Sequence, residues 1–293
     1  MTEAALPLPS RRVSWRAAAR RNPLLAVGAA IALALVVVAL LAPVVAPYPE
    51  DARTASHPQA TLEPPSSAHL FGTDQLGRDV LSRVLLGARI SLRIAALVLL
   101  FSIAVGVPLG LAAGYFGGWV DDVIMRVTDV FLAFPALLLA LALAAVLSPS
   151  VGNATLAIAV TWWPWYTRLA RGQAASVAGR PFVESCRALG IPPLRTLLRH
   201  VLPNSITPVI VQVSLDVGGV ILTAAALSFL GLGAQDPTPE WGLLVSQGQS
   251  YFTTQWWLVT FPGLAILVAA LAFNLLGDGL REILDPRRVA DRR

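Results

Sequence analysis

The sequence contains no lysine: all 22 of its basic residues are arginine. A phosphate-binding P-loop sets a lysine against the β- and γ-phosphates, so this chain cannot hold a standard one, and ATP hydrolysis by that route is excluded. Charge of either sign is scarce, 13% of residues against about 25% in soluble domains. Cys186 is the only cysteine, which rules out a disulfide within the chain. His57, His69 and His200 lie outside the apolar runs, and no second ligand stands at helical spacing from any of them. That speaks against an intramembrane zinc enzyme. His57 and His69 read as solvent-exposed, and His200 as a contact near a helix end.

What the chain has in abundance is apolar surface: 56% of its residues are hydrophobic, the composition of a membrane protein. A helical span needs about 20 mostly apolar residues. Six runs qualify, roughly Leu24–Ala46, Ile94–Tyr115, Val130–Leu147, Ala154–Trp165, Thr207–Gly231 and Leu258–Leu276, the fourth being short unless Val151 to Arg168 is counted with it. The first run exceeds the apolar core of a signal peptide, and Pro47 follows its one small-residue site, Val44-Val45-Ala46, so it reads as a retained helix. The predicted fold class is an all-α membrane protein of six transmembrane helices.

Arginine placement orients the spans. With the N-terminus inside, Arg11, Arg12, Arg16, Arg20, Arg21, Arg126, the group from Arg168 to Arg199, and Arg281 to Arg293 are cytoplasmic, leaving only Arg53, Arg78, Arg83, Arg89 and Arg93 outside. The positive-inside rule favours this choice, with both termini in the cytoplasm. The basic balance is thus a topology signal and not a nucleic-acid surface. The chain divides into a cytoplasmic segment 1–23, a first helix 24–46, an outer loop 47–93, a core 94–279 holding five spans, and a cytoplasmic tail 280–293.

Within the outer loop, Gly72–Arg93 has helical periodicity, with Val80, Leu81, Val84, Leu85 and Ile90 opposite Arg78, Arg83 and Arg89. It is predicted to lie as an amphipathic helix on the outer membrane surface. Trp162, Trp163, Trp165 and Tyr166, at the inner end of the fourth run, read as an aromatic belt.

The core is interrupted by a polar, proline-broken stretch, ESCRALGIPPLRTLLRHVLPN, from Glu184 to Asn204. Phe182, Val183, Cys186 and Leu189 fall on one face of a short helix, while Glu184 and Arg187 point elsewhere. Gly190 suits a left-handed cap, and Pro192 and Pro193 forbid immediate continuation. A second short helix follows, apolar at Leu194, Leu197, Leu198 and Val201, and Pro203 and Asn204 are expected to end it. Helices this short need something to pack against. The residues alone leave two surfaces open: anionic lipid and the chain's own spans, or a cytoplasmic protein.

This elbow (residues 181–204) resembles the EAA loop of ABC-importer permeases, a pattern of Glu-Ala-Ala, then a glycine, then a hydrophobic residue with Leu-Pro further on. Glu184, Gly190, Val201 and Leu202-Pro203 match in kind; Ser185 and Cys186 stand where alanines are usual. FGTDQLGRDVLSRVLLGARISL (Phe71–Leu92), MRVTDVFLAFPALLLA (Met125–Ala140) and ALSFLGLGAQDPTPEWG (Ala226–Gly242) are similar, in order, to blocks of the dipeptide/oligopeptide branch of that family, the DppC/OppC-like member. Ala224 replaces a glutamate common in the family just before the last block.

The resemblance implies the type I ABC-importer fold in a bacterial inner membrane. It implies a second homologous permease, two ATPase subunits that carry ATP and Mg, and an extracytoplasmic binding protein, with no cofactor bound by this chain. By carry-over, Phe182, Val183, Glu184, Cys186, Arg187, Leu189 and Gly190 form the coupling helix that docks on an ATPase. The substrate it implies is a di- or oligopeptide, with nickel and glutathione as the family's alternatives.

Gln212, Ser214 and Asp216 are a polar group midway along the fifth span. A central aspartate costs about 2.5–3.5 kcal/mol to insert, so it should face a wet path, where it could meet a peptide amine, or a partner permease. Asp74, Arg78, Asp236 and Glu240 are candidates for contact with the binding protein. A self-contained secondary carrier would need ionisable residues in several spans, and apart from Asp216 these offer almost none.

Overall fold

The computed structural model describes residues 23–284. The cytoplasmic segment expected at the N-terminus and most of the expected tail lie outside the described residues. Among the described residues the regular structure is helical: α1 Pro23–Val45, α2 Val80–Phe116, α3 Gly118–Leu132, α4 Ala136–Val146, α5 Val151–Ala178, α6 Pro181–Ala188, α7 Pro193–Thr196, α8 Leu202–Phe229, α9 Trp241–Gly248 and α10 Trp257–Leu284.

By length and apolarity, four helical stretches could cross a membrane: α1, α2, the continuous run Pro193–Phe229, and α10. α3 and α4 qualify together, but they meet at 81°. The expected single span at Val130–Leu147 is therefore two helices. Pro135 explains the break, since it lacks the N–H that a continuing turn would need. The expected fourth span grows to 28 residues in α5, which carries Arg168 and Arg171 and is not itself apolar enough to qualify.

The outer amphipathic helix is also corrected. Residues 72–79 are loop, and a helix begins at Val80 and runs unbroken for 37 residues into the expected second span. At 1.5 Å per residue it is about 55 Å long, well beyond a bilayer's apolar thickness. Asp79 caps it, its carboxylate accepting from the Ser82 backbone N–H at 2.8 Å. The expected apolar and polar faces do not separate: Val80, Val84 and Ala88 are buried in the core, but so is Arg83, while Leu81, Leu85 and Ile90 are half-buried.

The centre of the fold is the α2–α5 pair, the most extensive helix contact. Gly106, Gly110 and Gly114 recur every four residues on α2, and a Cβ at any of them would run into the α5 backbone at Trp163, Thr167 or Arg171. Tyr166, Ala170 and Ala174 of α5 fill the facing ridge, all buried. Small residues at this spacing let two backbones approach closely in a membrane. α10 packs on α1 and α8.

Because α5 extends to Ala178, the aromatic cluster sits in mid-helix and not at a helix end. Tyr166 and Trp163 are buried, and Trp163 packs edge-on against Phe131. Trp163 and Tyr166 thus build the interior and are not part of the interfacial belt the sequence predicts, whereas Trp165 is exposed and Trp162 half-buried.

Candidate functional site

Three polar assemblies stand out along the molecule: the elbow, a cluster midway along α5 and α8, and an ionic network at the opposite end from the elbow. In the elbow, α6 closes as the sequence predicts. Gly190 has φ of +69°, its N–H donates to the Arg187 carbonyl at 3.0 Å, and the Ile191 N–H donates to the Cys186 carbonyl at 3.0 Å. That pair of bonds is the Schellman cap, and glycine takes its left-handed position without strain.

The expected single apolar face splits. Val183 and Cys186 are buried, whereas Phe182 is 39% and Leu189 78% exposed. Glu184 is exposed, and the Arg187 guanidinium lies over the Tyr115 ring, 5.1 Å from its centre. Half the apolar surface thus anchors α6 to the bundle while Phe182, Glu184 and Leu189 face outward. Pro203 does not end the second helix. Leu197–Val201 forms a wide π turn that passes straight into α8, with Pro203 in the first turn of α8, where its missing N–H costs little. Leu197 and Val201 are buried and Leu194 and Leu198 exposed, so the elbow is welded to the long helix behind it.

The second cluster joins α5 to α8. The Tyr166 hydroxyl donates to Asp216 Oδ2 at 2.8 Å, Gln212 Nε2 donates to Asp216 Oδ1 at 2.9 Å, and the Trp162 side chain is a further donor. Ser214 takes no part, its hydroxyl donating back to the Ile210 carbonyl at 3.2 Å. On the neighbouring helices Arg168 pairs with Asp129, and Arg171 with Asp121 through two bonds. These pairs are what allow α5 to carry arginines.

In the third assembly, Asp74 Oδ2 accepts from Arg78 Nε and from Arg83 Nη1, each at 2.7 Å. Asp236 Oδ1 accepts from Arg78 Nη1 at 2.9 Å and from Gln247 Nε2 at 3.0 Å. Both arginines are 1% exposed. Burial opposes ionisation of Asp236, but hydrogen bonds from Gln247 and Arg78, with the charges of Arg78 and Arg83, outweigh it and hold the carboxyl below its ordinary value. Glu240 is fully buried and caps α9, accepting from the Leu243 N–H at 3.0 Å and from the Ser91 hydroxyl at 3.3 Å. Burial pushes its carboxyl above the ordinary range against those bonds.

Asp74, Arg78 and Glu240 are therefore internal struts with no surface to offer a docking protein; of the four expected contact residues only Asp236 reaches solvent. The histidine reading changes for His69, which is mostly buried with Nδ1 3.0 Å from Asp79 Oδ1; His57 is exposed as expected, with Nε2 2.9 Å from Asp51 Oδ1.

Sequence reasoning missed the aromatic lining of Asp216 and the α2 glycine stripe. The signal for the second was present as GVPLGLAAG, small residues every fourth position from Gly106.

Comparison with known proteins bears on these features. Residues 106–289 match the family described as binding-protein-dependent transport system inner membrane component, and residues 12–65 match the N-terminal TM domain of oligopeptide transport permease C. The chain is 42% identical to the dipeptide transport system permease protein DppC of Alkalihalophilus pseudofirmus, over 93% of this chain and 90% of that protein. It is 42% identical to the glutathione transport system permease protein GsiD of Pectobacterium atrosepticum, over 94% of this chain and 91% of that one. Among solved structures, the MetNI methionine ABC transporter in an inward-facing conformation aligns with a TM-score of 0.54 at 14% identity, covering 70% of this chain and 98% of that one. That last likeness is one of fold.

Proposed function

The chain belongs to the family of binding-protein-dependent transport system inner membrane components, and we propose that it serves as one of two permeases in an ABC importer of short peptides. It crosses the membrane six times, α5 included, with its polar residues shielded by α2, α3 and α8. Both termini are cytoplasmic. The relatives that support the substrate class carry dipeptides or glutathione in their names, and glutathione is itself a tripeptide.

The observation that carries this reading is the elbow. α6 is capped rigidly by Gly190, anchored by Val183 and Cys186, and presents Phe182, Glu184 and Leu189 outward. An apolar, acidic-tipped knob of this kind fits a cleft on a cytoplasmic ATPase, which supplies the nucleotide chemistry that a lysine-free chain lacks. ATP and Mg bind on that partner; ATP draws the two ATPases together, and each elbow moves with its ATPase. Because the π turn joins the elbow to α8 without a flexible link, the displacement passes directly into the helix that carries Asp216. A ligand shifts such an equilibrium only by its differential affinity for the two states, so the loaded binding protein outside and ATP inside both bias the same change.

Cross-linking tests this. A cysteine placed at Glu184, with Cys186→Ser to remove the native thiol, is expected to cross-link to the co-expressed ATPase subunits and to change its yield when ATP is added. Cross-links to lipid-facing probes alone would contradict the assignment.

A further inference from the structure

Asp216 lies midway along α8, half-buried, and its carboxylate is surrounded by neutral donors. Tyr166 and Gln212 each hold one oxygen, and Trp162 reaches the same group. No arginine among the described residues pairs with it: Arg168 and Arg171 on the facing helix are committed to Asp129 and Asp121. The surroundings hold the carboxylate in one orientation but do not cancel its charge.

One helical turn further, Gly219 is exposed, and a side chain added there would meet only the Trp162 ring, at 3.7 Å. The missing side chain leaves a notch of open space beside the Trp162 ring, with Asp216 about one turn away on the same helix. The Thr223 hydroxyl one turn further is spent on the Gly219 carbonyl at 2.9 Å, so the notch lies beside an indole ring and near one carboxylate with which no arginine among the described residues pairs. A compact cation suits this setting, because carboxylate and indole both attract an ammonium.

We propose that Asp216, with Trp162 and the Gly219 notch, is a binding site within the membrane for the α-ammonium of the transported peptide. Tyr166 and Gln212 are positioning residues that aim the carboxylate. The proposal rests on the short-peptide reading above and deepens it: dipeptides and glutathione share a free α-ammonium while differing in side chains and carboxylates. A site that reads only this group selects for amino-terminal peptides without selecting sequence.

The test uses the complete importer, with both permeases and both ATPases, in nanodiscs without the binding protein. Equilibrium binding of a panel of radiolabelled di- and tripeptides is measured beside their N-acetylated forms. The wild type is expected to favour the free-amino peptides by about tenfold or more. Asp216→Asn is expected to abolish that preference, Asp216→Glu to keep most of it, and Gly219→Leu, which fills the notch without touching the carboxylate, to weaken binding of the free-amino form. The acetylation arm needs no variant, so the test stands even if Asp216→Asn assembles poorly. Equal binding of free and acetylated peptides by the wild type, an unaltered preference in Asp216→Asn, or no measurable binding at all overturns the site. Parallel uptake by wild-type and Asp216→Asn proteoliposomes supplied with the binding protein separates the two levels. Uptake of peptides without dependence on Asp216 overturns the site alone, whereas no uptake of any peptide in the panel overturns the short-peptide reading and the site with it.

Discussion

The Tyr166 hydroxyl bonds to the Asp216 carboxylate at 2.8 Å across the contact between α5 and α8. The bond ties a fully buried ring to the half-buried polar group of the helix that continues into the elbow. Tyr166→Phe keeps the ring and deletes the donor, and loss of a hydrogen bond to a charged partner costs about 1.5–3 kcal/mol. A lower unfolding temperature of the purified importer is expected. The double variant with Asp216→Ala should lose less than the sum of the two single variants, since both remove the same bond; strict additivity would mean that the bond contributes nothing.

The glycine stripe yields a sharper contrast. Gly110 faces the Thr167 carbonyl and Ala170, while Gly172 on α5 has open space where its side chain would be. Gly110→Leu is expected to force α2 and α5 apart and to abolish assembly of the importer, as overpacking of about 1–3 kcal/mol or more is added where backbone cannot yield. Gly172→Leu is expected to assemble normally. Size-exclusion profiles of the two variants check this directly.

At the Asp74–Arg78–Arg83 network, Asp74→Ala leaves two buried guanidinium groups without the carboxylate they share. Breaking a buried ion pair from one side costs about 3–5 kcal/mol, so thermal unfolding should shift further than for any substitution at half-exposed Asp236.

Asp236 predicts a pH effect. Its carboxyl is held below the ordinary value of 3.8, so the folded chain binds fewer protons there than the unfolded chain does. The stability it contributes is complete above pH 3.8 and is lost as the pH falls through its lower folded value. Asp236→Asn removes that dependence, and acid unfolding of the variant should be shallower below pH 3.8 than that of the wild type.

For the elbow, Gly190→Val places a branched side chain at φ of +69°, in a region open to solvent. The cost is one of backbone strain, about 1–3 kcal/mol and confined to the cap. The importer should assemble, with stimulation of its ATPase by loaded binding protein sharply reduced, and Glu184→Ala should act in the same direction. Stimulation at the wild-type level in both would contradict the docking role.

How far the sequence could be read depended on the distance over which its signals act. The Gly190 cap and the short α6 are local, and both were legible. Boundaries failed where distant residues decide them. Hydropathy ends the fourth span at Trp165, because Arg168 and Arg171 look too polar to continue; Asp129 and Asp121 on another helix make continuation tolerable. Arg78 and Arg83 suggest a helix on the membrane surface until Asp236, 158 positions from Arg78, folds back onto them. Likewise, the polarity of Asp216 was visible in the sequence, but its setting was not: Tyr166 lies 50 residues away in the chain and was read as part of an aromatic belt.

Reconstitution tests the central claim most directly. The account holds that this chain transports only as one half of a path driven by separate ATPases through the elbow. Peptide uptake should be measured in proteoliposomes containing either this chain alone, with proton and sodium gradients imposed, or the full set of two permeases, two ATPases and binding protein with ATP. Uptake is expected only from the full set, only with ATP, and to fall with Glu184→Ala or Gly190→Val. Gradient-driven uptake by the chain alone would contradict the account.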